Sequence, residues 1–320
     1  MIAVLTGGTG GAKLIEGLVA EIDPAELAII CNTGDDCEFY GLNISPDIDT
    51  ITYTLGGLSD SAKGWGIRGD TFAVLEQLKR LGNDGWFNLG DKDLATHITR
   101  TDLLRQGHAL SAVTARIAHA LGIRATILPM SDQRVETRVT TPLGEISFQE
   151  FFVKQRWSLD VSAIRYAGVE QSRPAAGVLE TIHNARAIVI CPSNPITSIG
   201  PILAVPGIRN ALRSTGTPII GVSPLIGSTA VSGPAHKLLQ AVGLESSTLG
   251  VAVCYRDFLK LLFIADDDQH LSRQIRRSAW ACEPPIYGCH PFRISAAWLW
   301  KSYRSFAKPM ARLGSLGLLS

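Results

Sequence analysis

The sequence predicts an α/β fold with a doubly wound, mostly parallel sheet around one core, and three observations carry that expectation. A short apolar run at residues 2–5 leads into a glycine-rich turn and then a helical pattern, the mark of a strand-to-helix unit. Further short apolar runs recur at residues 27–30, 187–191, 218–222 and 262–265. All but the last are followed by polar or glycine turns, as buried parallel strands would be. The chain has 320 residues, 46% of them hydrophobic, enough to bury one large core or two closely joined ones.

Each element follows from local pattern. After the first run, Thr6 to Gly11 form a glycine turn, and Leu14, Leu18 and Val19 recur at helical spacing. Residues 27–30 make the second strand. Its continuation, Cys31-Asn32-Thr33-Gly34-Asp35-Asp36, is a polar turn at the carboxyl end, where open α/β sheets place ligands. Helical patterns cover residues 72–81 and 103–121. Residues 135–140 and 145–148 alternate with period two through Thr141-Pro142-Leu143-Gly144, a hairpin expected to add to the main sheet. The late strands end in Pro192-Ser193-Asn194-Pro195-Ile196-Thr197-Ser198-Ile199-Gly200 and Ser223-Pro224-Leu225-Ile226-Gly227.

Composition removes several classes of function. No window reaches the roughly 18 uninterrupted apolar residues of a membrane span. Met1 leads straight into an apolar run with no basic region or cleavage site, so a cytoplasmic protein with no membrane contact is expected. The six cysteines, Cys31, Cys37, Cys191, Cys254, Cys282 and Cys289, include no C-x-x-C pair and are too sparse for a disulfide scaffold. Net charge is +1, but residues 271–320 hold eight Lys and Arg against the single acid Glu283, leaving 22 basic against 28 acidic residues before them. A mildly acidic body argues against a nucleic-acid partner.

Thr6-Gly7-Gly8-Thr9-Gly10-Gly11-Ala12-Lys13 sets four glycines before a helix. Their backbone admits a close ligand, and the helix start aims free N–H groups and a positive dipole end at it, so phosphate is the natural guest. A tight connection without a ligand is the alternative. The stretch departs from both stock nucleotide patterns: G-x-G-x-x-G from Gly8 needs glycine where Lys13 stands, and P-loop spacing is absent. Strand two ends in Cys31-Asn32 rather than in the acid that holds a dinucleotide ribose, which counts against NAD.

Ser45-Pro46-Asp47-Ile48-Asp49-Thr50 places two carboxylates on a loop, able to face one point if the segment is extended. Such an oxygen pair suits magnesium beside phosphates; an Asx turn or helix cap is the other reading. Gly90-Asp91-Lys92-Asp93-Leu94-Ala95-Thr96-His97, opening a helix, either holds a polar substrate or is a capped, solvated helix start. His97 is accordingly a base or a structural residue. The turns at Ser193-Asn194-Pro195 and Ser223-Pro224 open on the edge of the glycine loop, where they can read a base or ribose or simply turn the chain. No Ser/His/Asp nucleophile pattern, Cys/His metal cluster or H-E-x-x-H appears, so covalent and zinc chemistry have no support.

In this order the glycine loop, Asn32-Thr33-Gly34-Asp35-Asp36, the Asp47/Asp49 segment, Gly90 to His97, Leu128-Pro129-Met130-Ser131-Asp132 and Ser193 through Pro201 closely resemble the 2-phospho-L-lactate transferase family, over residues 1–270. The resemblance implies a Rossmann-like core with a smaller α+β part inserted at about residues 71–155, one transferase domain over 1–270, and an atypical basic tail at 271–320. It also implies a reaction in coenzyme F-420 biosynthesis. The ribityl hydroxyl of the deazaflavin Fo attacks the phosphorus bearing the acid in a guanosine diphospho-acid donor, GMP leaves, and magnesium is used. The acid can be 2-phospholactyl, enolpyruvyl-phosphate or phosphoglyceryl.

Carried over by position, Gly8, Thr9, Gly10 and Lys13 lie along the diphosphate, Ser193 and Asn194 near the guanosine, and Asp49 and Lys92 at Fo. Asp47 and Asp49 take the catalytic and magnesium-holding roles on chemical grounds. The family has arginine where Lys92 stands, and lysine keeps the charge but loses the bidentate fork. Two other readings share the glycine loop: a nucleotide-sugar-binding regulator of the related superfamily, which should lack the Asp47/Asp49 and Gly90 to His97 motifs, and an NAD-dependent oxidoreductase. Family precedent and apolar content lean towards a homodimer. The tail, crowded with Trp280, Trp298 and Trp300, is expected to pack poorly on the core.

Overall fold

The computed structural model describes residues 1–60, 64–227, 229–230 and 233–279. From the N-terminus the chain runs through β1 (Ile2–Thr6), α1 (Gly8–Val19), β2 (Leu27–Cys31), the hairpin β3 (Cys37–Phe39) and β4 (Leu42–Ile44), and α2 (Pro46–Leu55). Helices α3 (Ala73–Arg80), α4 (Asp91–Arg105) and α5 (Leu110–Ala120) precede β5 (Thr126–Pro129). Then come β6 (Glu136–Thr141), β7 (Gly144–Ser147), β8 (Ala163–Ala167) and α6 (Val178–Asn184). The last part holds β9 (Ala187–Ile190), α7 (Ile199–Ala204), α8 (Ile208–Ser214), β10 (Ile219–Val222), the short pair β11 (Leu225–Ile226) and β12 (Thr229–Ala230), α9 (Ala235–Ala241), α10 (Thr248–Tyr255), β13 (Leu261–Phe263) and α11 (Ser272–Ala279).

Among the described residues, six strands pair in parallel in the order β13-β10-β9-β1-β2-β5. Counted along the chain this is the 3-2-1-4-5-6 order of a Rossmann-like sheet, with its reversal between β1 and β9. β1 is buried at every residue because it lies at that centre, and its side chains divide by strand alternation. Ile2 and Val4 join Leu14, Ile15, Leu18 and Ile51 on one face, while Ala3 and Leu5 join Ile188, Ile190, Ile202 and Ile208 on the other. The doubly wound reading of the apolar runs is thereby confirmed.

Four local expectations need correction. The pattern at residues 103–121 is two helices, because Gly107 takes a left-handed φ of 88° just past the end of α4 and stops it. The hairpin β6/β7 does not extend the main sheet; it pairs with β8 in a separate antiparallel sheet, which uses both edges of β6. This second sheet packs Val139 onto the main core, joined by Phe148 just beyond β7. Asp47 and Asp49 stand in the first turn of α2 rather than on an extended loop, since Pro46 at its first position has the φ a helix start needs and acids are favoured at the positive dipole end. Finally β5, unrecognised because it is four residues long and ends in proline, is an edge strand beside β2. It lies inside residues 71–155, so that stretch serves the main sheet as well as the smaller part.

No helix of the described residues is long and apolar enough to cross a membrane. The expectation of a poorly packed tail with Trp280, Trp298 and Trp300 falls on residues 280–320, outside the described ones. α11, just before them, sets Ile275 against Leu249 and Ala252.

Candidate active site

β1 and β9 are neighbours whose connections leave in opposite directions, so a crevice opens at their carboxyl ends. The glycine bend after β1 and the Ser193 turn after β9 meet there. Ser193 joins them with one hydroxyl: it accepts from the Gly7 N–H at 3.2 Å and donates to the Gly7 carbonyl at 2.7 Å. A Cβ on Gly7 would stand 2.5 Å from an Asp47 oxygen, and one on Gly10 2.5 Å from the Pro192 carbonyl. Gly8 takes a φ of 64°, which favours glycine. The glycines are thus needed to bring three segments together. Gly8, Thr9 and Gly10 stay partly open, α1 starts at Gly8 without a side-chain cap, and Lys13 is exposed.

Asn32 is fully buried and holds three segments in register. Its amide donates to Asp47 at 2.9 Å and to the Thr197 carbonyl at 3.2 Å, while its carbonyl accepts from Gly34 N–H at 2.8 Å. Asp47 also receives the Gly8 N–H; burial nevertheless pushes its carboxyl up to about 6. Beside it, burial drives Asp35 well above the usual carboxylate range, with Asp47 and Asp36 adding to the effect. Asp36 is raised in the same way, and the Ser45 hydroxyl, donating at 2.7 Å, offsets only part of it. One oxygen each of Asp35 and Asp36 is buried with no hydrogen-bond partner among the described residues.

Asp49 has a different neighbour. The guanidinium of Arg100, 1% exposed, donates to both of its oxygens, through Nη1 at 3.1 Å and through a short Nη2 contact, and Nη1 also reaches the Asn43 carbonyl at 3.3 Å. Burial opposes that positive charge, yet Asp49 and Asp36 hold it above the ordinary guanidinium value. His97, also 1% exposed, places Nδ1 3.3 Å from Arg100 and Nε2 3.1 Å from Asp93. The Tyr53 hydroxyl donates to the other Asp93 oxygen at 2.5 Å. Donor atoms of Asp49, Asp93 and His97 lie within 4.8 Å of one another, a spacing that could hold a metal, but Arg100 already engages both Asp49 oxygens.

The family model described as 2-phospho-L-lactate transferase CofD matches residues 2–280. The chain belongs to this family. A phosphoenolpyruvate transferase from Streptomyces griseus is 49% identical over 259 residues, 79% of this chain and 81% of that protein. A 2-phospho-L-lactate transferase from Methanococcoides burtonii is 43% identical over 274 residues, 86% of this chain and 89% of that one. A UPF0052 family protein from Bacillus halodurans shares the fold, with a TM-score of 0.55 at 18% identity, covering 86% of this chain and 84% of that structure. The chain is therefore an enzyme that transfers a phospho-organic group, a member of a family acting on small molecules in F-420 biosynthesis.

Against this family background, the motif residues separate by task. Asn194 spends its carbonyl on the N–H groups of Ile196 and Thr197, at 2.9 and 3.2 Å, an Asx turn that shapes the loop. Ser223 likewise accepts from Leu225 N–H at 3.1 Å and holds a turn. The stretch from Gly90 to His97 divides in two. Asp91 caps α3 through the N–H groups of Ala73 and Val74, both at 3.0 Å, while Asp70 caps α4 through those of Lys92 and Asp93, at 2.8 and 3.1 Å. Lys92 turns its ammonium to the carbonyls of Arg68 and Gly69, at 3.3 and 3.0 Å. Asp93 and His97 enter the buried network.

Sequence reasoning missed Arg100, Asn32 as a bracket, the unpaired Asp35 and Asp36 oxygens, and Tyr166. The signal for Arg100 was its place three residues after His97, on the same helical face. Tyr166 gave none: it reaches from β8 of the second sheet to donate to the Ile196 carbonyl at 2.5 Å. With Thr137 N–H donating to the Gly34 carbonyl at 2.7 Å, the second sheet steadies the loops after both β2 and β9.

Proposed function

We propose that this enzyme moves a phospho-acid group from a guanosine diphospho-acid donor to the ribityl hydroxyl of the deazaflavin Fo, releasing GMP. The observation that supports this most is the concentration of four aspartates on the segments beside the glycine bend, Asp35, Asp47 and Asp49 buried and Asp36 half-buried, with the guanidinium of Arg100 taken up by Asp49. Buried carboxylates in excess call for a cation, and the unpaired Asp35 and Asp36 oxygens are hard donors of the kind magnesium takes. Asp47, with Asp35 and Asp36 beside it, would hold that ion, which when bound would neutralise the donor's diphosphate charge, whereas both Asp49 oxygens are taken by Arg100.

The protein's own groups do the rest by positioning. Gly8, Thr9 and Gly10 offer backbone to the diphosphate, with Lys13 on the exposed side of α1. Ser193 and Asn194 line the guanosine side, and Asp49 and Lys92 the Fo side. The Fo hydroxyl oxygen forms the new bond to phosphorus, the bond from that phosphorus to the GMP oxygen breaks, and the hydroxyl proton passes to a carboxylate of the Asp47/Asp49 pair. Both motifs that a non-catalytic nucleotide-sugar binder should lack are present, with Asp47, Asp49 and His97 buried and Lys92 exposed.

The relatives carry two phospho-acid names, so the assay supplies all three donors, with Fo and magnesium, and follows GMP. Release of GMP with one donor, dependent on Fo, is the expected result. Tight guanosine nucleotide binding with no GMP from any donor would overturn the transfer.

A further inference from the structure

Asp49 and Tyr53 lie four residues apart on α2, and Asp93, His97 and Arg100 lie at i, i+4 and i+7 on α4. These spacings put each set on one helical face, and the two faces meet. The contacts form one connected circuit. Tyr53 donates to Asp93 at 2.5 Å, His97 stands 3.1 Å from Asp93, and Arg100 joins His97 at 3.3 Å to Asp49. Because a guanidinium only donates, Nδ1 of His97 is the acceptor of the Arg100 contact, while its Nε2 stands beside an Asp93 oxygen without a hydrogen bond among the described residues. The Arg100 contact to the Asn43 carbonyl fixes the rotation of the fork.

We propose that Arg100 and His97 are positioning residues for Asp49, holding its carboxylate in one plane at the acceptor side of the crevice. The proposal rests on the transferase reading above. An apolar stripe would join α2 to α4 without burying charge, and replacing a buried ion pair by one is often neutral or stabilising. What an apolar stripe lacks is direction: a bidentate fork sets the plane of a carboxylate, and the histidine behind it sets the plane of the fork. Lysine at position 100 keeps the charge and cannot span both oxygens.

The test is single-turnover GMP release, with GDP affinity measured alongside. Arg100→Lys is expected to slow release by ~100-fold, a loss in kcat rather than in donor KM, since misplacement of a reacting group by about 1 Å has that scale. GDP affinity should stay within ~3-fold, because the diphosphate loop is not in the circuit. His97→Asn, whose carbonyl replaces the Nδ1 acceptor, should lose less than ~10-fold, and His97→Leu should approach the loss of Arg100→Lys. In an Asp49→Asn background, Arg100→Lys should add less than ~3-fold, because both changes act through one carboxylate. A further ~100-fold loss there, or equal losses for His97→Asn and His97→Leu, overturns the positioning role. A wild-type protein that neither binds Fo nor releases GMP overturns the transferase reading, and this proposal with it. If Arg100→Lys does not fold, the His97 pair decides.

Discussion

Asp47 and Asp49 stand two residues apart in the first turn of α2, both buried, and they meet opposite surroundings. Asp47 points to the glycine bend and sits among neutral donors, Asn32 and the Gly8 N–H, with Asp35 adjacent. Asp49 points to α4 and into the fork of Arg100. The cause is helical geometry: residues two apart diverge by about 200° round the axis, whereas in an extended segment they would share a side. A sequence pair that looks like one metal clamp is thus two carboxylates under different electrostatic regimes, one short of positive charge and one supplied with it.

The contrast predicts stability effects of opposite sign. Asp49→Ala strands a fully buried guanidinium, so it should cost about 3–5 kcal/mol of folding stability as well as abolishing turnover. Thermal unfolding checks this, and a loss no larger than that of an ordinary surface substitution would show that Arg100 finds water. GDP affinity of the folded fraction should remain within a few-fold, since Asp49 faces away from the glycine bend.

Asp47→Asn should do the reverse in the absence of magnesium. It removes a crowded buried charge and keeps an oxygen able to accept, so stability should rise by on the order of 1–2 kcal/mol at neutral pH. The sign follows from the folded-state value of about 6, above the ordinary carboxylate value of 3.8. A raised acid contributes stability below the unfolded value, and that contribution is lost as pH climbs through about 6. The wild-type protein without magnesium should therefore melt earlier at pH 7.5 than at pH 5. Magnesium should shrink this difference in wild type and have less effect in Asp47→Asn. A melting temperature that is flat or rising over that interval would remove the crowded-acid account.

The sheet was legible in the sequence because buried parallel strands are near-continuous apolar runs, and those at residues 2–5, 27–30 and 187–191 are flanked by glycine or polar turns. β5 was not, since four residues ending in Pro129 carry too little pattern to separate strand from loop. At the site, the glycine bend and Ser193 were readable because backbone approach and a hydroxyl at a strand end have local signatures. Arg100 was not, because a lone arginine within a polar helix reads as solvated, and only α2 lying across it shows where the charge goes. Gly90 to His97 was only partly legible: Asp91 caps the neighbouring α3 rather than the helix it opens, while Asp93 and His97 belong to the buried circuit.

The smallest effect tests the quieter end of the same comparison, the neutral donors round Asp47. Tyr166 lies within electrostatic reach of Asp35, and its hydroxyl fixes the loop whose Thr197 carbonyl shares the Asn32 amide with Asp47. Tyr166→Phe removes one hydroxyl and leaves the Ile196 carbonyl without that donor, so about 1 kcal/mol of stability should be lost. The loosened loop also carries Ser193 and Asn194, so GDP affinity should fall a few-fold. Fo affinity should not change, because the α2–α4 circuit has no contact with Tyr166. Titration of both ligands into this variant and into His97→Leu should therefore give complementary profiles. Equal weakening of GDP and Fo by Tyr166→Phe would mean that the two sides of α2 are mechanically coupled, and that the independence of Asp47 from Asp49 ends at electrostatics.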